Sequence, residues 1–128
     1  MAYWFVFCNG DIMLEKDGEG RYFVPKSAAC PIPLTETDRQ HEIAPFEDGT
    51  EVFAVMQEEK LSDSSGRYEY VSLRDSYNLL DSPMYRKAGK CEEIMYWDRQ
   101  TLYCGKCGTP LHWYTEISKL CPKCGNEI

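Results

Sequence analysis

Two short cysteine motifs near the end of the chain constrain its fold more than any other feature. Each has the form Cys-x-x-Cys-Gly, the first at 104–108 and the second at 121–125. Four thiolates at this spacing can close a tetrahedral site around one metal ion, and the glycine after each motif allows a backbone that turns amide groups toward the sulfurs. We therefore predict a zinc ribbon with four ligands: Cys104, Cys107, Cys121 and Cys124. Zinc is favoured over a rubredoxin-like iron site because the gap between the motifs is short and little sequence surrounds them.

The charge distribution argues against nucleic acid as a partner. Residues 1–100 contain eleven Lys or Arg against nineteen Asp or Glu, a net of −8, and residues 101–128 contain three Lys against two Glu, a net of +1, which together give −7. An acidic surface repels phosphate backbones, and the ribbon segment has no basic stripe. With 128 residues, nine Tyr and three Trp, the chain has the size and composition of one globular domain or two small ones.

The remaining cysteines indicate a reducing compartment. Of the seven cysteines, three lie far apart outside the motifs: Cys8, Cys30 and Cys91. This pattern fits small buried thiols in a cytoplasmic protein better than a disulfide framework, a second metal site or a nucleophile. The apolar run at 3–8 is too short for a signal peptide or a membrane helix, and no basic residue precedes it. We therefore expect a cytoplasmic location and no membrane span.

The first part of the chain has the pattern of a small antiparallel or mixed sheet. Six segments combine strand-forming residues with turn signals at their ends: 3–8, 12–14, 22–24, 41–46, 51–57 and 68–73. Asn9-Gly10 is a strong two-residue hairpin signal between the first two strands. The strand at 51–57 is apolar on both faces and should be central in the sheet, whereas 58–67 is polar and predicts an exposed loop.

A helix is predicted after the sheet. Ser82 is a suitable N-cap and Pro83 fits the first helical turn. Four apolar residues then fall on one helical stripe: Met84, Ala88, Cys91 and Met95. We expect this helix to extend to about Arg99, after a shorter helical turn at 76–80. No Gly, Pro or Ser interrupts 98–103, so the helix should lead directly into the ribbon.

The ribbon is too small to fold without help. Its hairpin strands are expected at 110–114 and 118–120, around a turn at 115–117, and metal binding would supply about 10 kcal/mol or more of stabilisation. Four aromatic residues should pack where the ribbon meets the rest of the chain: Tyr96, Trp97, Trp113 and Tyr114. The predicted fold is therefore α+β, with a sheet and a C-terminal helix in residues 1–100 and a zinc-ribbon hairpin in residues 101–128.

Other side chains are weaker candidates for function. His112 is not needed as a ligand, because four thiolates already complete a tetrahedral site. His41 and Glu42 resemble a base–carboxylate pair, but neighbouring strand residues point to opposite faces of a sheet. Trp113 and Tyr114 could stack on an RNA base, although aromatic residues of a ribbon hairpin more often pack on the neighbouring domain.

Several of these motifs together resemble the NADH pyrophosphatase family of Nudix hydrolases. The resemblance rests on Ala88-Gly-Lys, on Tyr96-Trp97 in the helix, on the two cysteine motifs, and on the aromatic strand, hairpin and aromatic-Val-Pro segment at the start. It implies a degenerate Nudix-like N-terminal domain followed by a zinc ribbon. In that family a catalytic Nudix domain follows, so the partners it implies are that domain and the substrate NAD(H), and it leaves a homodimer open.

The chain departs from the family at the catalytic signature. The Nudix signature places an Arg-Glu pair before two consecutive glutamates and a glycine, and its glutamates hold the catalytic Mg²⁺ or Mn²⁺. The only consecutive glutamates here are Glu58-Glu59 and Glu92-Glu93, and neither has the Arg-Glu or the glycine at the required distance. We therefore expect no catalytic residues and no cofactor-binding residues in this chain, and we expect that it is a piece of a longer protein.

These observations predict the non-catalytic N-terminal and zinc-ribbon portion of an NADH pyrophosphatase. The resemblance implies that the parent protein hydrolyses the pyrophosphate of NAD(H) to nicotinamide mononucleotide and AMP, and that NAD-capped RNA ends are a further substrate class. The alternative is a stand-alone zinc-ribbon module that binds a protein or nucleic-acid partner.

Overall fold

The computed structural model describes residues 1–33, 38–60, 66–115 and 117–128. The described residues form these elements in order: β1 Ala2–Cys8, β2 Asp11–Lys16, β3 Tyr22–Phe23, β4 Lys26–Ser27, β5 Arg39–Ile43, β6 Glu51–Gln57, β7 Tyr68–Ser72, α1 Leu73–Ser76, α2 Ser82–Gln100, β8 His112–Thr115 and β9 Ser118–Leu120. The fold is α+β, with one mixed sheet, one long helix and a C-terminal hairpin, as the sequence predicts.

The sheet is built around β1, which pairs antiparallel with β2 and parallel with β6. Strand β5 lies outside β6, and β7 lies on the other side of β2. The short strands β3 and β4 pair with β2 and β1 where these two diverge. Asn9 and Gly10 turn the β1–β2 hairpin with φ of 52° and 86°, the left-handed conformations that such a two-residue turn requires.

Both faces of the sheet are covered. Helix α2 lies over one face, where Ala88, Cys91 and Met95 pack against Phe5 and Phe7 of β1 in one buried cluster. A second cluster on the other face has these buried members: Ala2, Trp4, Val6, Met13, Ile32 and Val55. This explains why β1 and the central strand β6 carry apolar side chains on both of their faces, as predicted for β6.

The boundaries of the helices differ from the prediction. The N-cap of α2 is Asp81, whose Oδ1 accepts a hydrogen bond from the backbone N–H of Met84 at 3.0 Å, while Ser82 is the first helical residue. The shorter helix α1 begins at Leu73, earlier than the predicted turn at 76–80, because Ser72 caps it. Of the loop predicted at 58–67, residues 61–65 lie outside the described residues.

Candidate metal centre

The two cysteine motifs fold into matching turns beside the β8–β9 hairpin. In the first turn the backbone N–H of Gly108 donates to the carbonyl of Cys104 at 2.8 Å, and in the second Gly125 donates to Cys121 at 3.0 Å. The two glycines have φ of 75° and 76°, a region that residues with a Cβ rarely enter. The glycine that follows each motif is thus required by the turn, and the two turns present their sulfurs in the same way.

The four sulfurs converge on one point. The Cys104–Cys124 and Cys107–Cys121 sulfur pairs are 3.5 and 3.4 Å apart, the Cys107–Cys124 pair is 3.8 Å apart, and all four sulfurs lie within 4.8 Å of one another. A tetrahedral ion with bonds of about 2.3 Å to sulfur would separate its ligand atoms by about 3.8 Å. The four sulfurs are therefore arranged closely enough to hold one metal ion.

Backbone and side-chain N–H groups of the two turns point at the cysteine sulfurs. The backbone N–H of Lys106 donates to Cys104 Sγ at 3.4 Å, and that of Cys124 donates to Cys121 Sγ at 3.4 Å. The side-chain amide of Asn126 lies 3.7 Å from Cys104 Sγ. Such donors stabilise negative charge on the ligand sulfur and fix its direction, as outer hydrogen bonds do at metal sites.

The thiol pKa values follow from these contacts. The backbone N–H of Cys107, together with that of the residue before it, lowers the pKa of Cys104 to about 6. A backbone N–H from Asn126 lowers the pKa of Cys124, but hydrogen bonds with the neighbouring sulfurs outweigh it and raise this pKa to about 11. Four thiolates so close together repel one another, and a divalent cation at their centre would neutralise that repulsion.

The ribbon is attached to the rest of the fold through a buried carboxylate, Asp98, near the end of α2. Asp98 Oδ2 accepts from Arg39 Nε of β5 at 2.6 Å, and its Oδ1 lies 2.7 Å from Lys119 Nζ of β9. The side chains of Asp98 and Lys119 are 3% and 4% exposed. Burial acts to raise the pKa of Asp98, but the hydrogen bonds from Arg39 and Lys119 prevail and hold it below its ordinary value.

Lys119 also satisfies the end of the helix. Its ammonium donates to the backbone carbonyls of Asp98 at 3.1 Å and of Thr101 at 2.7 Å, and Thr101 is the C-cap of α2. A cation at a helix C-terminus meets the negative end of the helix dipole and otherwise unpaired carbonyls. One ribbon side chain therefore joins the hairpin to the last turn of the helix.

Aromatic rings close the same junction. His41 of β5 stacks on Trp113 of β8 with ring centres 3.7 Å apart, and Trp97 of α2 lies 5.6 Å from Trp113. This confirms the junction role predicted for Trp97 and Trp113. Tyr114 lines the cleft between β8 and the end of β5, so it lies near the junction as predicted, although it is 59% exposed. Tyr96 is also 59% exposed, and the helix turns its ring outward.

The polar part of this junction was not predicted from the sequence. Asp98 continues the apolar stripe three residues after Met95, and a carboxylate on a buried stripe was a signal that a cationic partner would be needed. Nothing in the sequence identifies Arg39 and Lys119 as those partners, or Trp113 as the ring on which His41 stacks, whereas Glu42 is exposed.

The other candidate residues are not brought together. His112 is exposed on β8 and is not part of the sulfur cluster. Cys8 and Cys91 are fully buried and Cys30 is half-buried, and burial raises the pKa of Cys91 to about 12. These thiols have the character of core residues, which agrees with the prediction for Cys8 and Cys91.

The family model for the NADH pyrophosphatase-like rudimentary NUDIX domain matches residues 1–97. The chain belongs to this family. No curated protein matches the chain. The match covers the sheet and most of α2 and ends just before the ribbon, so the proposed division at residue 100 stays a prediction.

The family assignment agrees with the lack of a Nudix signature in these 128 residues. Glu58 and Glu59 are both exposed at the end of β6, where Glu58 lies 3.9 Å from Arg99, and Glu93 is exposed on α2. In the part of the chain that the structure describes, no helix is both long enough and apolar enough to cross a membrane.

Proposed function

We propose that this chain is the non-catalytic N-terminal and zinc-ribbon portion of a cytoplasmic NADH pyrophosphatase. The proposal is supported by the family match over residues 1–97 and by the four sulfurs that lie within 4.8 Å of one another. The second observation carries the metal part of the proposal, because four cysteines with inward N–H donors are the usual ligand set of a structural zinc ion.

In this proposal the metal is structural. Zinc, when bound, would neutralise the thiolates of Cys104, Cys107, Cys121 and Cys124 and cross-link the two turns of a segment that has little apolar core. The ribbon strands then place Trp113 and Lys119 against α2 and β5, where they contact Trp97 and Asp98. The ribbon would thus form a rigid extension that is fixed to the end of the rudimentary domain.

The reaction belongs to a further part of the parent protein. We propose hydrolysis of the NAD(H) pyrophosphate to nicotinamide mononucleotide and AMP, with NAD-capped RNA ends as another substrate class. The catalytic Mg²⁺ or Mn²⁺ would be held by the glutamates of a catalytic Nudix domain, which is the proposed partner of this chain. A homodimer of the parent remains part of the same hypothesis.

The metal proposal is tested by elemental analysis of the purified chain. We expect one zinc per chain, lost in Cys104→Ser and kept in Cys30→Ser, which changes a half-buried cysteine outside the cluster. A chelator should remove hydrogen-exchange protection from β8 and β9 first and from the end of α2 second, while β6 stays protected. The proposal fails if the protein binds no metal and Cys104→Ser is as stable as the parent chain.

The enzymatic part is tested separately. Incubated with NADH and Mg²⁺ or Mn²⁺, this chain alone should release no AMP above a metal-only blank. Sequencing the gene beyond codon 128 should reveal a Nudix signature, and the longer product should release AMP from NADH. Turnover by the chain alone would show an unrecognised catalytic site.

The second candidate is a stand-alone ribbon module, with a protein or nucleic acid as its partner. It is favoured by the exposed aromatic and aliphatic side chains of the ribbon, since Tyr103, Tyr114 and Ile117 are 62%, 59% and 59% exposed. Such side chains are typical of contact surfaces. A stop codon directly after Ile128 would favour this function over the first.

A further inference from the structure

A groove beside the first half of α2 has the features of a peptide-binding site. We propose that it binds an extended polypeptide segment of another protein, with carboxylate side chains directed at the helix and an apolar side chain directed at the floor. The groove has a volume of about 660 Å³ and lies between the β5–β6 turn and α2. The proposal concerns a surface remote from the cysteine cluster and goes beyond the proposed function.

The first observation is the distribution of unpaired cations. Six of the eleven Lys and Arg residues in 1–100 lie within 4.0 Å of a carboxylate: Lys16, Arg21, Arg39, Lys60, Arg67 and Arg99. The other five have no ion pair within the described residues: Lys26, Arg74, Arg86, Lys87 and Lys90. In a segment of net charge −8, cations without carboxylate partners stand out.

Three of these five cations line the same groove. Arg86, Lys87 and Lys90 line it along α2. Three cations without a carboxylate partner among the described residues thus share one concave surface, where they can attract an anionic side chain.

The carboxylates that line the groove are less available for these cations. Asp48 Oδ1 accepts from the backbone N–H of Thr50 at 2.9 Å, and Asp81 Oδ1 caps α2. Glu47 and Asp48 form an acidic rim on the β5–β6 turn, across the groove from the cations of α2, and Asp81 lines the groove at the start of that helix. The two rims therefore differ in sign, and a partner that carries negative charge on all sides would meet repulsion at the acidic rim.

The floor of the groove is apolar and fixed. Phe46 packs edge-on against Tyr3 with ring centres 5.4 Å apart, and Met84 and Pro83 of α2 line the same space. Lys87 lies over the Phe46 ring at 5.1 Å and donates to the carbonyl of Ala44 at 2.9 Å, which holds the turn against the helix. An apolar side chain inserted here would lose contact with water against a surface that is already formed.

The spacing of the cations favours an extended peptide as the occupant. Arg86 and Lys90 are four residues apart on α2, and Lys87 and Lys90 are three apart, so each pair is separated by about 5–6 Å. Alternate side chains of an extended strand repeat on one side about every 6.6 Å, which is close to the same interval. Intervening side chains of such a segment point the other way, where Phe46 and Tyr3 form the apolar floor.

The experiment is an NMR titration of the ¹⁵N-labelled, metal-loaded chain with a defined probe. The probe is an acetylated, amidated octapeptide that alternates glutamate with leucine, and its control has glutamine at every glutamate position. We expect saturable shifts of the Phe46, Lys87 and Lys90 amides with the glutamate peptide, weakened by added salt. The variant that combines Arg86→Glu with Lys90→Glu should bind the glutamate peptide at least about tenfold more weakly than the parent chain does.

The matched control is Arg74→Glu, which reverses an unpaired, exposed cation on α1 away from the groove and should leave the affinity unchanged. Equal binding of the glutamine peptide, or full binding by the double variant, would overturn the proposal. Tighter binding of tripolyphosphate than of the peptide would assign the groove to a phosphorylated small molecule instead. Concentration-dependent shifts of the same amides without peptide would assign it to a second copy of the chain.

Discussion

Replacing Lys119 with methionine tests whether a single buried ammonium holds the ribbon to the rest of the fold. The substitution keeps an apolar chain of similar length and removes donors to three acceptors: Asp98 Oδ1, the Asp98 carbonyl and the Thr101 carbonyl. Hydrogen bonds to charged groups contribute about 1.5–3 kcal/mol, and breaking a buried ion pair costs about 3–5 kcal/mol. Arg39 still neutralises Asp98 through two hydrogen bonds. We therefore expect a loss of about 2–4 kcal/mol in the free energy of unfolding.

The assay is urea unfolding of the metal-loaded protein, followed by the fluorescence of Trp97 and Trp113 at the junction. The matched control is Lys123→Met, which changes an exposed lysine in the same ribbon and should alter stability by less than about 0.5 kcal/mol. A double-mutant cycle with Asp98→Asn separates the pair from other effects. The combined loss should be smaller than the sum of the two single losses, since each single variant leaves one buried group without its partner.

The reasoning is refuted if Lys119→Met is as stable as Lys123→Met, or if the losses of Lys119→Met and Asp98→Asn simply add. The first result would mean that the aromatic contacts alone attach the ribbon, and the second that Lys119 acts through the carbonyls of Asp98 and Thr101 rather than through the Asp98 carboxylate. Removal of the metal should make the two lysine variants similar, because the ribbon strand that carries Lys119 is then no longer held in place.

Three further predictions concern single side chains. Because the pKa of Asp98 is held below its ordinary value, its ionised form stabilises the fold above a pH of about 4, and this stabilisation is lost as the pH falls through the folded-state pKa. Asp98→Asn should therefore reduce the slope of the free energy of unfolding against pH on the acid side. An unchanged slope would contradict this. His41→Ala should cost about 0.5–1.5 kcal/mol and change the emission of Trp113, whereas His112→Ala, on the exposed side of β8, should do neither. Burial raises the pKa of Cys91 to about 12, so iodoacetamide at neutral pH should label half-buried Cys30 in the folded chain and Cys91 only after unfolding. Mass spectrometry follows the labelling. Labelling of Cys91 at the rate of Cys30 would show that α2 opens readily.

Features whose causes act within a few residues could be predicted from the sequence alone. The spacing of the cysteine motifs brings Cys104, Cys107, Cys121 and Cys124 together because each turn is closed by its own glycine. Asn9-Gly10 sets the first hairpin through its own backbone conformation. The stripe of α2 identifies the helix and its buried side, although the cap is misplaced by one residue because Asp81 and Ser82 can both serve as N-caps.

Only the tertiary structure decided which distant residues meet. The parallel pairing of β1 with β6 and the position of β5 beside the ribbon depend on how the sheet is ordered, and no local pattern encodes that order. Arg39 and Asp98 are 59 residues apart, and Lys119 reaches the same carboxylate from the ribbon. An ion pair depends on distance in space rather than along the chain, so a charged residue on a buried stripe signals that a partner is needed but does not identify it. The sequence by itself thus determined the elements and the cysteine site, and the assembled fold determined how the site is attached.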